Sequence, residues 1–65
     1  MKHWREQQRR RLEWEMEDLR MKRLRLEQRL IREVLSPGKR REIRGEIRTC
    51  TESICFVGSL IEELS

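Results

Sequence analysis

The chain has 65 residues, 35% of them hydrophobic and 43% charged, with a formal net charge of +4 and a sequence pI near 9.8. So short and so charged a sequence cannot enclose a core of ordinary size, and its stability has to come from pairing helices. The longest apolar run is Ile54 to Val57, and no apolar run follows the basic N-terminus, so neither a secretory leader nor a membrane span is expected. With only two cysteines besides, an intracellular setting, cytoplasmic or nuclear, is the expectation.

Apart from one proline and three glycines, the chain consists largely of good helix formers: Arg, Glu, Leu, Gln and Ile. The expected class is all-α. The chain divides into a basic amphipathic helix over 1–35, a turn over 36–39, and a heptad-patterned helix over 40–65.

In the first segment Leu12, Met16, Leu19, Leu26 and Leu30 follow helical spacing and continue towards Val34, with Arg23 standing where another apolar residue belongs. Around the helix from this stripe, Trp14, Met21, Leu24, Ile31 and Leu35 form a second, looser apolar face. A helix that is apolar on two sides has two neighbours, which favours a bundle of hairpins over an isolated pair.

The turn reads Ser36-Pro37-Gly38-Lys39. Ser36 can cap a helix whose first position is Pro37, and the residue before a proline is pushed out of helical geometry. Gly38 offers backbone freedom for the chain to reverse. An antiparallel hairpin is therefore expected in place of one kinked rod.

The second helix carries the clearest pattern. Ile43, Ile47, Cys50, Ile54, Val57, Ile61 and Leu64 recur at spacings of 4, 3, 4, 3, 4 and 3, an unbroken heptad seam. Ile47, Ile54 and Ile61 take a positions, and Ile43, Cys50, Val57 and Leu64 take d positions. β-Branched residues at a favour parallel two-stranded pairing, although an antiparallel partner accepts the same stripe. Cys50 at d is a small apolar tooth of that seam, and in a parallel dimer it could meet its own copy. Cys55 lies about 140° further round the helix, so the two thiols diverge.

Charge favours the antiparallel arrangement. The first eleven residues carry Lys2, Arg5, Arg9, Arg10 and Arg11 against Glu6, whereas residues 49–65 carry Glu52, Glu62 and Glu63 and no base. Folding about Ser36 and Pro37 pairs positions whose numbers sum to about 74, which sets Arg10 and Arg11 beside Glu62 and Glu63, and Arg23 near Glu52.

The basic residues also admit a nucleic-acid reading, with Arg9, Arg10, Arg11, Lys39, Arg40 and Arg41 as the candidate contacts. In layout, a short hairpin with an arginine-rich helix resembles the lentiviral RNA-export proteins, which implies RNA binding through the arginines. Their arginine tract is denser. Here Glu13, Glu15, Glu17, Asp18 and Glu27 are interleaved with the bases, the pattern of a solvated, salt-bridged face.

No catalytic, cofactor or metal site is expected. His3 is the only histidine and sits at the far end from both cysteines, Glu62 and Glu63 are consecutive and point apart, and Gly38, Gly45 and Gly58 are isolated. A basic amphipathic helix can lie on lipid, but the most apolar part here is flanked by acids, so no membrane partner is expected. The expected architecture is an antiparallel helical hairpin that assembles as a coiled coil or helical bundle. Its role would be a protein–protein interaction or oligomerisation module, part of a scaffold or adaptor. The expected partners are itself, as a homodimer or higher, and a helical segment of another protein, both meeting the Ile43–Leu64 seam and the Leu12–Leu30 stripe.

Overall fold

Thirty-one consecutive residues without glycine or proline form the first helix, α1 (Lys2–Arg32). A second, α2 (Pro37–Leu64), returns along it. This computed structural model describes residues 2–65, with side chains from His3 onward, and contains no strand among them. The result is a helical hairpin measuring 51 × 16 × 11 Å.

Arginines and glutamates one turn apart lace the surface of α1: Arg9 to Glu13 at 3.8 Å, Arg23 to Glu27 at 3.5 Å and Arg29 to Glu33 at 2.9 Å. Exposed pairs of this kind stabilise a helix by about 0.2–0.5 kcal/mol each. Arg29 and Arg32 also lie in the last turn, where a cation suits the negative end of the helix dipole.

The ends of α2 are built differently. Ser36 is extended (φ −65°, ψ 156°) and its hydroxyl accepts the N–H of Lys39 at 3.3 Å, while its carbonyl accepts the N–H of Arg40 at 2.9 Å. Pro37 follows at a position where a missing N–H costs nothing. No acid lies in the first turn of α2 and no base in its last, so the dipole gains nothing from side chains at either end. Packing against α1 has to hold this helix.

The reversal differs from the sequence expectation in two respects. α1 ends at Arg32, three residues before Leu35, because Glu33 to Ser36 leave helical geometry to make the turn. This turns Leu35 inward onto the core and leaves Val34 fully exposed, so the apolar stripe does not extend to Val34 and Leu35 leaves the second apolar face. Gly38 lies inside α2, and no residue among those described has a positive φ. The turn therefore does not draw on the freedom of glycine.

The core is one seam. Leu26, Ile43, Cys50 and Val57 are buried, with Leu30, Leu35 and Ile47 packed against the Leu26–Ile43–Cys50 cluster. The d positions of α2 face α1, whereas the a positions Ile47, Ile54 and Ile61 sit half-buried at its flank. Met16 lays its terminal methyl 3.4 Å from where a Cβ on Gly58 would stand, and these two numbers sum to 74. The close approach at Gly58 is thus by a flexible side-chain end.

Arg23 fills its place in the α1 seam half-buried, and its guanidinium leaves sideways to Glu27. A long aliphatic stem can cover apolar surface while its charged head stays wet. No ion pair joins the two helices among the described residues, so the expected contacts of Arg10, Arg11 and Arg23 with Glu62, Glu63 and Glu52 do not form. The pairs that do form are all local, three or four residues apart. Apolar register and a short turn set the orientation instead.

Ile43 is 1% exposed and Val34 lies wholly in solvent, which makes them a matched pair. Ile43→Ala should destabilise the chain by about 2–5 kcal/mol, and Val34→Ala should stay within about 0.5 kcal/mol. Urea unfolding followed by circular dichroism measures both.

Candidate functional site

The residues expected at a partner interface fall into two sets. On α2, Ile43, Cys50 and Val57 are buried against α1 of the same chain, and Ile47, Ile54, Ile61 and Leu64 are half-buried. On α1, Leu26 is buried while Leu12, Met16, Leu19 and Leu30 are half-buried. The structure brings these two stripes together within one hairpin, so each is the other's neighbour. The d row is buried in this way from Ile43 to Val57, with Leu64 half-buried beyond it. The a row keeps an open flank.

What stays uncovered lies elsewhere. Trp14, Met21, Leu24 and Ile31 are 73%, 42%, 45% and 84% exposed, on the face of α1 turned away from α2. Large apolar side chains recurring along a single helix face form a stripe, unlike exposed residues scattered singly. On α2, Phe56 is 66% exposed at the lip of a groove lined by Leu19, Val57 and Leu60, with Glu15 and Glu52 at its rim. Trp4 is also exposed, near the open end of the hairpin.

The surface area has the same meaning. The chain exposes 5760 Å², whereas a compact protein of its 8.1 kDa mass exposes about 4,500 Å². Its radius of gyration is 15.2 Å, against about 11 Å for a compact fold of this length. Two helices side by side have only one shared face, so most of each cylinder meets solvent.

The basic candidates do not converge. Arg9 is paired with Glu13 and Lys39 with Glu42, at 3.8 and 3.5 Å. Arg10, Arg11, Arg40 and Arg41 are exposed and in no ion pair among the described residues. Arg9 to Arg11 lie near the open end and Lys39 to Arg41 at the turn, about 40 Å apart at 1.5 Å per helical residue. At the turn, Arg40, Arg41 and Arg44 border a depression floored by Leu35 and Pro37. Arg44 belongs to this group and was missed in the sequence, where it stands outside the Lys-Arg-Arg run.

The hydroxyls of α2 are used locally. Thr49, Thr51 and Ser59 donate to the carbonyls of Gly45, Ile47 and Cys55 at 3.1, 3.0 and 3.1 Å. The two cysteines are both free, Cys50 buried against α1 and Cys55 exposed. Cys50 is therefore turned towards its own α1, away from any second copy.

This contrast gives a direct check. A thiol reagent should label Cys55 rapidly in the folded chain, and Cys50 only as fast as the hairpin opens. Addition of urea should bring the two rates together; equal rates without urea would mean the seam is not closed. No protein-family model matches the sequence, and no curated protein or solved structure matches it.

Proposed function

We propose that this chain is a helix-pairing interaction module, a hairpin whose remaining apolar faces join further helices into a coiled-coil bundle. The observation that carries the reading is the exposed row Trp14, Met21, Leu24 and Ile31, opposite a seam that is already occupied. With four residues buried, and Ile43 alone among them fully so, the hairpin by itself removes little apolar surface from water. A further helix on the outer face of α1 would remove about 25 cal/mol of unfavourable exposure per Å² it covers. The half-buried a row of α2, at Ile47, Ile54 and Ile61, offers a lesser strip of the same kind.

The charges fit this role as the solubilising rim around an apolar stripe. Three of the arginines on α1 already have a glutamate one turn away. Their part in the module is to keep the free surface wet and to select among partners by sign.

A second reading rests on charge distribution. Residues 20–48, the turn half of the rod, carry eleven Lys or Arg against four acids. Arginine-rich helical surface of this kind suits a polyanion such as RNA. The interaction reading is preferred because the bases are spread around both helices, with no aromatic side chain among them.

Association coupled to folding makes the melting temperature rise with concentration. That rise is the expected result for the unaltered chain, followed by circular dichroism with mass from sedimentation. Met21→Glu with Leu24→Glu should abolish the rise and lower helicity, whereas Ser59→Asp, on the exposed side of α2, should change neither. A monomer that melts cooperatively and independently of concentration would overturn the reading, because it would need no neighbour. For the second reading, binding to a random single-stranded RNA should be weak and lost near physiological salt. Nanomolar binding abolished by Arg40→Ala, Arg41→Ala and Arg44→Ala together would reverse the order of the two readings.

A further inference from the structure

On the exposed face of α1, Trp14, Glu17, Met21, Leu24, Gln28 and Ile31 follow one another at spacings of 3, 4, 3, 4 and 3. This is a second heptad seam, with Trp14, Met21 and Gln28 at a and Glu17, Leu24 and Ile31 at d. Its pattern is apolar, polar, apolar, apolar, polar, apolar, the same from either end. A stripe that reads alike in both directions is self-complementary under a twofold axis.

We propose that this face pairs with the same face of a second copy of the chain, antiparallel, with the twofold axis between Met21 and Leu24. The proposal rests on the helix-pairing reading and names its partner. Antiparallel pairing stacks a on d of the other helix, so Trp14 meets Ile31 of the second copy, Met21 meets Leu24, and Glu17 meets Gln28. Each layer occurs twice. Every apolar residue of the stripe meets an apolar residue, and the carboxylate of Glu17 accepts a hydrogen bond from the amide of Gln28. A polar layer of this sort fixes register.

The flanking charges choose the direction. Beside the antiparallel stripe, Arg20 faces Glu27 of the second copy on one side and Asp18 faces Arg25 on the other. Glu27 already holds Arg23 of its own helix at 3.5 Å through one oxygen and has the other for Arg20. The single like-charge contact is Arg11 with Arg32, at the ends of the overlap. Parallel pairing in register would stack Glu17 on Glu17 and set Glu13 against Asp18 and Arg20 against Arg25. Sliding the antiparallel pair by one heptad places Met21 on Glu17 or Leu24 on Gln28. Only the twofold register satisfies both the stripe and its rims.

The scale is also right. Residues 13–32 overlap, a length of about 30 Å at 1.5 Å per residue. A standard interface buries about 800 Å² on each partner, and the hairpin exposes about 1,300 Å² more than a compact chain of its mass.

The test uses the full chain carrying Cys55→Ser, so that no exposed native thiol remains. Arg20→Cys and Glu27→Cys are made separately in it. Mild oxidation of the mixture should give a disulfide-linked pair, and oxidation of either alone should give none. Self-linking of the Arg20→Cys chain, or no link in a mixture that sediments as a dimer, would overturn the antiparallel register. Arg20→Glu should weaken the dimer roughly tenfold, since two attractive contacts become repulsive, and adding Glu27→Arg should restore it. A double variant as weak as the single one would also overturn the register.

If the unaltered chain sediments as a monomer over a roughly hundred-fold range of concentration, the self-pairing is overturned. Its helicity then separates the two ideas. A monomer that is only partly helical leaves the need for a helical neighbour standing, whereas one that melts cooperatively on its own removes that reading as well.

Discussion

Everything in this fold hangs on one row of contacts, the burial of Ile43, Cys50 and Val57 against α1. They recur every seven residues, so two turns of α2 separate each from the next and the row covers about 21 Å of helix at 1.5 Å per residue. No other force is available to dock the helices. Among the described residues no ion pair crosses between them, and the hydrogen bonds outside the helices' own backbone ladders are local, at caps, turns, hydroxyls and the Arg29–Glu33 pair. The dipole of α2 works against its terminal charges, with Lys39 and Arg40 at the positive end and Glu62 and Glu63 at the negative one. The row must therefore hold α2 in place and also offset an intrinsic cost.

The row was legible in the sequence because its cause is periodic. A helix of 3.6 residues per turn brings positions 43, 47, 50, 54 and 57 onto one side whatever lies opposite, and the apolar spacing alone identifies that side. Register was legible for a similar reason. A short turn at Ser36 and Pro37 fixes the sum of paired positions, and Met16 against Gly58 obeys it. The charge argument for the same register named the wrong partners. Coulomb attraction between exposed groups is weak, and a glutamate one turn away on the same helix is nearer than one across a seam, as Arg23 with Glu27 illustrates.

The turn was less legible, because its geometry depends on what Leu35 gains by facing inward. Helical spacing alone assigns Leu35 to the outer face with Ile31, and only the packed hairpin reveals that ending α1 at Arg32 delivers a leucine to the core. Exposure of the second apolar face was equally beyond the reach of periodicity, since a stripe in a sequence does not declare whether the same chain covers it. The choice between the two stripes of α1 lies in tertiary packing: the leucine-rich stripe fits the row of α2, and the stripe of Trp14, Met21, Leu24 and Ile31 is left over.

That leftover follows from two apolar faces on α1, of which α2 covers one among the described residues. Had α1 been polar on its outer side, the hairpin would be a small closed unit with its apolar content spent. A third helix on that side would make the outer face an ordinary part of a bundle core. In the hairpin the stripe is hydrated, and on the proposed reading a further helix would relieve that cost. Covering it and ordering the hairpin are linked, because α1 lies between the two faces and anything that fixes it as a helix on one side presents its leucines, already aligned, to α2 on the other. Nucleating an isolated helix is costly, so a neighbour on the outer face lowers the entropy still to be lost when α2 docks. Under the proposed pairing, binding and folding would draw on the same helix, and the outer stripe would contribute to the stability of a core that it does not touch.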